Sequence, residues 1–251
     1  MNIKDLEKYS RLRGLNLGQA EKDYYQNIIL FILYNKFSKE LVFKGGTALA
    51  KCYGLNRFSE DLDFTFKGEK DFIEVLTEGL NNFGIKYYMK NIPDSKISKK
   101  HKIKIEGSLY KGFEKTLCSV TLDVSFRENI ALEPNTIIIG HHMDIIPAFE
   151  VYVMKEEEIF AEKIRAIMTR KSARDLYDLI FLLEKNVTTK KSLIEKKLNY
   201  SKIIFEKNKF LKNCKELDTI WKSELKSLVK HVPDFKDFIK EAKEWTESFN
   251  M

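Results

Sequence analysis

A glycine turn followed by two closely spaced aspartates constrains this chain more than any other feature. The turn is Gly-Gly-Thr at residues 45–47, and the acids follow in an Asp-Leu-Asp segment at 61–63. Gly45 and Gly46 permit backbone angles closed to other residues and leave no side chain over the amides. The residues after Thr47 read as a short helix, so the turn lies where free N–H groups attract phosphate. The plainer interpretation is a helix start with Thr47 as its cap.

The two aspartates indicate a cation site. In an extended segment Asp61 and Asp63 point to the same side, while Leu62, Phe64 and Phe66 face the core. Two neighbouring carboxylates repel each other unless a cation lies between them. All-oxygen ligands favour a hard ion such as Mg²⁺ or Mn²⁺, which also binds phosphate oxygens. The alternative is a solvated strand edge, but the upstream glycine turn favours a functional pair.

A third acid, Asp123, is the natural partner from another strand. Residues 120–126 alternate, so that Thr121, Asp123 and Ser125 face away from the core. Asp123 can therefore complete a three-carboxylate metal site. It can also be an ordinary polar residue on a half-buried strand.

The order of these motifs resembles the nucleotidyltransferase superfamily. The fuller string, Gly-Gly-Thr-Ala-Leu followed by Arg-Phe-Ser-Glu-Asp-Leu-Asp-Phe, is closer still to the AbiEii-type nucleotidyltransferase toxins, which include the MenT toxins. Two further segments match that family in order, a lysine-bearing helix at 161–166 and an Arg-Asp-x-x-Asp helix at 174–179. The resemblance covers roughly residues 40 to 185 and is specific for the family but not for the substrate.

The resemblance implies a chemistry and further site residues. It implies a two-metal site that activates an acceptor hydroxyl against the α-phosphate of an NTP, with the 3′ end of tRNA as acceptor and a genetically paired antitoxin. Ser59 resembles the family serine beside the site. Asp175 belongs by resemblance to the active centre, as a base or an acceptor-positioning group. Asp178 is expected to be structural and paired with Arg174.

Lys163 lies within an apolar helical stripe. The stripe consists of Ile159, Phe160, Ile164, Ile167 and Met168. Burial of an unpaired ammonium is costly, so Lys163 must reach water or an anion. In one interpretation it snorkels to the surface or pairs with a structural carboxylate. The phosphate site expected at the glycine turn favours the other interpretation, contact with the triphosphate.

The periodicity predicts an α+β fold with a mixed sheet, flanking helices and a C-terminal helical bundle. Helices are expected at 4–12, 19–38, 45–53 and 70–83, and a strand at 61–66. Strand-like runs lie near 85–92, 101–110, 117–127 and 136–153, and the periodic segments beyond 155 are helical. We expect two domains, a nucleotidyltransferase core with N-terminal helices at 1–154 and a helical domain at 155–251 that completes the active site.

Composition excludes several other classes. No apolar run approaches the length of a membrane span, and the N-terminus has no signal-peptide pattern, which predicts a soluble, cytoplasmic protein without a membrane partner. The 3 cysteines are far apart and show no zinc or redox spacing. The 4 histidines, including His141 and His142, show no metal spacing either.

Positive charge concentrates near the C-terminus. Residues 185–251 contain 16 lysines against 10 acids and so carry +6 of the net charge of +7. A lysine-rich helical face can follow the phosphate backbone of an RNA. The lysines considered are Lys190, Lys191, Lys196, Lys197, Lys207, Lys209, Lys212 and Lys215. A solvated surface in a lysine-rich protein explains them equally well.

These observations favour a metal-dependent nucleotidyltransferase. In this hypothesis Gly45, Gly46, Thr47, Ser59 and Lys163 hold the NTP phosphates, and Asp61, Asp63 and Asp123 bind the metal. Three alternatives stay open. They are a nucleotidyltransferase that modifies a protein or a small molecule, a metal-dependent phosphoesterase that uses the same acids, and a non-catalytic binding protein.

Overall fold

The computed structural model describes residues 1–92, 98–126, 129–140, 146–188 and 190–249, without the side chains of 91, 92 and 98; His141 and His142 lie outside these ranges. The chain forms two compact units. The first contains residues 1–52, 60–130 and 134–153. The second contains residues 53–59, 131–133 and 154–251.

The first unit is built on a mixed sheet. Among the described residues its strands are β1 (Leu41–Lys44), β2 (Asp61–Phe66), β3 (Tyr87–Ile92), β4 (Ser98–Ile105), β5 (Cys118–Ser125), β6 (Asn135–Ile139) and β7 (Phe149–Val153). Their order is β3-β4-β5-β2-β1-β7-β6. β2 and β5 are parallel neighbours, as are β1 and β7. β1 pairs antiparallel with β2, and β4 pairs antiparallel with β3 and with β5.

In the described part of this unit the α-helices are α1 (Ile3–Arg13), α2 (Leu17–Tyr34), α3 (Gly45–Cys52) and α4 (Phe72–Asn82). An Asn16–Gln19 capping box starts α2, and Asp71 caps α4 through two backbone amides. One face of the central strands is apolar and buried, with Leu62 and Phe64 on β2 and Val120 and Leu122 on β5. Burial of that face fixes the register, because a slip of one residue would turn these side chains toward water.

The second unit is helical. Its helices are α5 (Glu156–Thr169), α6 (Ala173–Glu184), α7 (Lys191–Asn199), α8 (Lys207–Glu216), α9 (Asp218–Leu225) and α10 (Phe235–Ser248). One of the lysines considered as an RNA contact is instead part of its core. Lys197 is fully buried, and its Nζ lies 2.7 Å from Glu158 Oε1 and 3.0 Å from Glu162 Oε1. No described helix combines the length and apolar character needed to cross a membrane.

The predicted α+β class is confirmed, with a mixed sheet and a C-terminal helical region. The helix expected at 19–38 ends at Tyr34, the strand expected near 101–110 lies at Ser98–Ile105, and two further differences change the number of strands. The apolar run at 136–153 is not one strand but two, β6 and β7, which pair antiparallel. The four-residue strand β1 was not predicted, because a short apolar run has no periodicity that distinguishes it from a buried turn. The domain division at 154 stays a prediction, and the structure assigns 53–59 and 131–133 to the helical unit.

Candidate active site

The Gly-Gly-Thr segment forms the first turn of α3, directly after β1, and its first glycine lies against a predicted ligand. Gly45 has φ +75°, in the left-handed region that favours glycine. A Cβ at this position would lie 2.3 Å from Oδ2 of Asp63. The bare backbone of Gly45 therefore lies directly against the Asp63 carboxylate, and any side chain here would displace it.

Thr47 attaches α3 to the acid strand. Its side chain is 1% exposed, and its hydroxyl donates a hydrogen bond to the backbone carbonyl of Asp61. This bond fixes the start of α3 relative to β2. The hydroxyl proton is used in this hydrogen bond, while the hydroxyl oxygen can still accept another one.

The three aspartates lie on one face of the sheet. Asp61 and Asp63 are half-buried and alternate with the buried Leu62 and Phe64. In the parallel pairing of β2 with β5, Asp63 is directly opposite Asp123, and Asp61 is opposite Thr121. Directly opposite residues share a face. The three predicted carboxylates therefore share one face of the sheet, and Asp63 and Asp123 are direct neighbours on it.

A lysine from the next strand lies among these acids. In the antiparallel pairing of β4 with β5, Lys100 is opposite Asp123, and its Nζ lies 2.9 Å from Asp123 Oδ2. The hydrogen bond to Asp123 raises the pKa of the Lys100 ammonium, and partial burial opposes this rise. The charges of Asp123, Asp63 and Asp61 raise the pKa further. The Lys100 ammonium is thus attracted by all three carboxylates. Lys100 was not among the site residues predicted from the sequence.

The chemistry of this face fits a hard divalent ion. The donors are carboxylate oxygens, as Mg²⁺ and Mn²⁺ prefer, and the Lys100 ammonium shows that positive charge is favourable beside them. In the ranges described above, no three His, Cys, Asp or Glu side chains are arranged as a ready metal site. The ion pair between Asp123 and Lys100 directs one of the three carboxylates to an ammonium. The assignment of the three aspartates as metal ligands stays a prediction.

A second cluster of charged residues lies within the helical unit. The ammonium of Lys163 on α5 lies 2.9 Å from Asp175 Oδ1 and 2.7 Å from Asp178 Oδ2 on α6. All three residues are buried. Burial lowers the pKa of Lys163, but attraction by Asp175 and Asp178 outweighs it and the net shift is upward. Lys163 is therefore a fixed cation that does not snorkel to the surface.

Two arginines complete this cluster. Arg57 binds Asp178 through two hydrogen bonds, Nε to Oδ1 at 2.6 Å and a terminal nitrogen to Oδ2 at 2.7 Å. Arg170 binds Asp175 through bonds of 2.7 and 2.9 Å. Asp178 thus pairs with Arg57 and Lys163, and the expected pairing with Arg174 is wrong. Arg57 belongs to the Arg-Phe-Ser motif, so its side chain was visible in the sequence but its partner was not.

The buried cations keep both acids charged. Burial alone would raise the pKa of Asp175, but Lys163 and Arg170 hold it far below its ordinary value. The pKa of Asp178 is likewise lowered, because Arg57 and Lys163 outweigh its burial. Ser59 is half-buried in the connection between α3 and β2, two residues before Asp61. Its role beside the phosphates stays a prediction.

Solved structures share this fold. JHP933 from Helicobacter pylori is 23% identical over 91% of this chain and 90% of its own, with a TM-score of 0.65. A second H. pylori structure, solved as a candidate nucleotidyltransferase, is 24% identical over 90% of this chain and 93% of its own, with a TM-score of 0.64. MenT4, a nucleotidyltransferase toxin from Mycobacterium tuberculosis, is 18% identical over 100% of this chain and 91% of its own, with a TM-score of 0.64.

The comparison with curated proteins gave no match. A family profile, in contrast, matches residues 29–246, a range that contains both the glycine turn with its aspartates and the cluster around Lys163. The profile is described as "Nucleotidyl transferase AbiEii toxin, Type IV TA system". Because the match spans most of the sequence, this chain belongs to the AbiEii family of nucleotidyltransferase toxins.

Proposed function

We propose that this enzyme transfers a nucleoside monophosphate from an NTP to the 3′-terminal hydroxyl of tRNA. The observation that carries the proposal is the pairing of Asp63 with Asp123 on adjacent parallel strands, with the backbone of Gly45 against the Asp63 carboxylate. A nucleotidyl transfer needs phosphate-binding amides beside cation-binding acids. In this proposal the glycine turn supplies the amides, and the neighbouring strands supply the acids.

The triphosphate binds at the glycine turn in this proposal. The first backbone N–H groups of α3 have no partner within the helix, and the helix dipole adds partial positive charge. Gly45 and Gly46 place no side chain over these amides, and Thr47 holds the turn on β2 through Asp61. Ser59 and Lys163 are further phosphate contacts in the proposal, supported by the family motif in which they occur.

Asp61, Asp63 and Asp123 would hold Mg²⁺ or Mn²⁺. When bound, such ions lower the pKa of an acceptor hydroxyl and neutralise the charge of a leaving pyrophosphate. The three carboxylates supply the negative charge that binds the ions, and the rigid pairing of β2 with β5 fixes two of them side by side.

Asp175 acts in this proposal as a positioning group and not as a general base. A general base needs a pKa near the working pH, whereas Lys163 and Arg170 hold the pKa of Asp175 far below its ordinary value. Its ion pairs instead fix the position of Lys163 and Arg170.

The proposed acceptor and partner follow from the family. Type IV toxin–antitoxin systems pair a toxin with an antitoxin, so we propose an antitoxin gene near this one. We place the enzyme in the cytoplasm, where NTPs and tRNA are present.

A transfer assay tests this function. The protein is incubated with each labelled NTP and with separate tRNA, protein and metabolite pools, and labelled tRNA is sequenced at its 3′ end. We expect label in tRNA for the wild type and none for Asp61→Asn, which keeps the fold but weakens the cation site. Label only in protein or metabolites would overturn the tRNA proposal. Shortened RNA without an NTP requirement would indicate a phosphoesterase instead.

A further inference from the structure

A row of lysines shares the sheet face of the aspartates. On β4 the side chains of His101, Ile103 and Ile105 are buried, so Lys100, Lys102 and Lys104 lie on the opposite face. On β3, Lys90 is directly opposite Lys102, and Tyr88 is directly opposite Lys104. We call Tyr88, Lys90, Lys100, Lys102 and Lys104 the β3–β4 lysine face.

This face is continuous with the proposed catalytic acids. Paired residues form one row across four adjacent strands, from Asp61 on β2 through Thr121 on β5 and Lys102 on β4 to Lys90 on β3. Neighbouring strands are about 4.8 Å apart, so the row places Lys102 roughly 10 Å and Lys90 roughly 14 Å from Asp61, measured between backbones. A chain that ends at the aspartates can therefore reach both lysines within its last few units.

The two central lysines repel each other. Lys90 and Lys102 are directly opposite, and like charges in that position destabilise a sheet. In the part of the chain that the structure describes, neither forms an ion pair. The acids nearby are engaged elsewhere, since Glu114 pairs with Lys104 and interacts with Lys90 only at longer range. Glu106 accepts a hydrogen bond from Tyr88. A bound phosphate would relieve the repulsion between Lys90 and Lys102.

An aromatic ring lies among these charges. Tyr88 is 55% exposed, and its hydroxyl donates a 2.7 Å hydrogen bond to Glu106 Oε1, which fixes the position of the ring. Exposed aromatic rings beside lysines are the elements that bind single-stranded nucleic acid, because a base stacks on the ring while the phosphates meet the ammonium groups. A face that bound an acidic protein instead of RNA would need the lysines but not the exposed ring.

We infer that the β3–β4 lysine face binds the single-stranded 3′ segment of the RNA acceptor and directs its terminal hydroxyl toward the aspartates. Lys90 and Lys102 contact backbone phosphates, and Tyr88 stacks on a base. This inference rests on the proposed function for its choice of acceptor.

Three variants and one matched control test the inference that this face binds RNA. Lys90→Glu, Lys102→Glu and Tyr88→Ala alter the face. Lys99→Glu makes the same charge change on β4 but on the other side of the sheet, where Lys99 lies over the ring of Phe126. Each lysine reversal also creates an opposite-charge pair between positions 90 and 102. The fold is therefore expected to be stabilised, and a melting temperature at or above the wild-type value excludes misfolding.

Binding is measured by fluorescence anisotropy with a labelled single-stranded RNA oligonucleotide and no NTP. We expect each of the three variants to weaken binding about 5- to 10-fold, and each reversal to reduce the slope of log affinity against log salt by about 0.7. Lys99→Glu should bind much as the wild type does. Unchanged binding in Lys90→Glu and Lys102→Glu, or an equal loss in Lys99→Glu, would overturn the inference. Unchanged binding would leave an acidic protein as the alternative occupant of this face.

The same variants enter the transfer assay with labelled NTP and tRNA. If the wild type labels tRNA, the lysine reversals should raise KM for tRNA and leave KM for the NTP unchanged. A wild type that labels no RNA would contradict the proposed function, and the NTP-free anisotropy would still decide the inference. The two failures are therefore distinguishable.

Discussion

At the scale of single residues, Gly45 combines a left-handed backbone conformation with a close contact to a neighbouring side chain. Its φ is +75°, and a side chain would collide with the carboxylate of Asp63. Gly84 has φ +63°, but a Cβ there would have nothing within 4 Å. The two positions therefore separate backbone strain from interference with the site.

We predict that Gly45→Ala and Gly84→Ala both lower stability by about 1 to 2 kcal/mol, because each places alanine in the left-handed region. Only Gly45→Ala should also abolish nucleotidyl transfer, since it displaces Asp63. Urea unfolding and the transfer assay measure the two effects. Equal activity in the two variants would refute a role for the contact between Gly45 and Asp63.

Lys100 is the second residue with a distinct prediction. Its ammonium lies 2.9 Å from Asp123 Oδ2, so it competes with a divalent ion for that carboxylate. Lys100→Met should increase the affinity for Mn²⁺ up to about fivefold, because a partly exposed ion pair contributes about 0.2 to 1 kcal/mol.

Calorimetric titration of Mn²⁺ into the nucleotide-free protein measures this change. Lys102→Met is the control, because it removes a charge from the same strand and face at a position opposite Thr121 and not opposite an acid. An equal gain in both variants would show a general charge effect and no competition at Asp123.

At the scale of elements, α5 and α6 are joined by the buried cluster around Lys163. Asp178 accepts two hydrogen bonds from Arg57 and pairs with Lys163, all away from water. Removal of a buried charge leaves its partners uncompensated, which is more damaging than loss of a surface pair.

Asp178→Asn should therefore destabilise the protein by about 3 kcal/mol or more at pH 7. Arg174→Ala, which removes the partner expected from the sequence, should change stability by less than about 0.5 kcal/mol. Urea unfolding of both variants checks this. A large loss in Arg174→Ala would contradict the pairing that the structure shows.

The same cluster predicts a pH dependence. The pKa values of Asp175 and Asp178 are lowered in the folded state, so their contribution is complete above the unfolded value of about 3.9 and is lost as pH falls below it. We expect the difference in unfolding free energy between wild type and Asp178→Asn to be constant from pH 6 to 8 and to shrink below about pH 4. Urea unfolding across this range is the measurement, and a constant difference down to pH 3 would contradict it.

At the scale of the whole molecule, the lysines that give the net charge of +7 are not all available to bind RNA. The lysine-rich C-terminal segment contributes most of this net charge, yet Lys197 forms ion pairs with Glu158 and Glu162 within the helical unit. The β3–β4 lysine face carries four lysines and lies in register with the proposed metal-binding acids.

We therefore predict that Lys207→Gln with Lys209→Gln, two lysines on α8, lowers RNA affinity less than twofold. Lys90→Gln with Lys102→Gln removes the same charge and should lower affinity more than about tenfold. Anisotropy at a fixed salt concentration compares the two double variants. A larger loss in the α8 variant would locate the RNA on the C-terminal segment instead.

The sequence by itself determined the features that depend only on residues close together in the chain. Alternation on β2 and β5 placed three aspartates on one polar side, and the glycine turn marked the start of α3, because period and backbone freedom are properties of neighbouring residues. The motif order also identified the family. Only the tertiary structure decided which charges meet. Lys100 lies beside Asp123, Arg57 binds Asp178, and Lys90 is opposite Lys102, because strand order and helix packing bring together residues whose separation along the chain carries no signal.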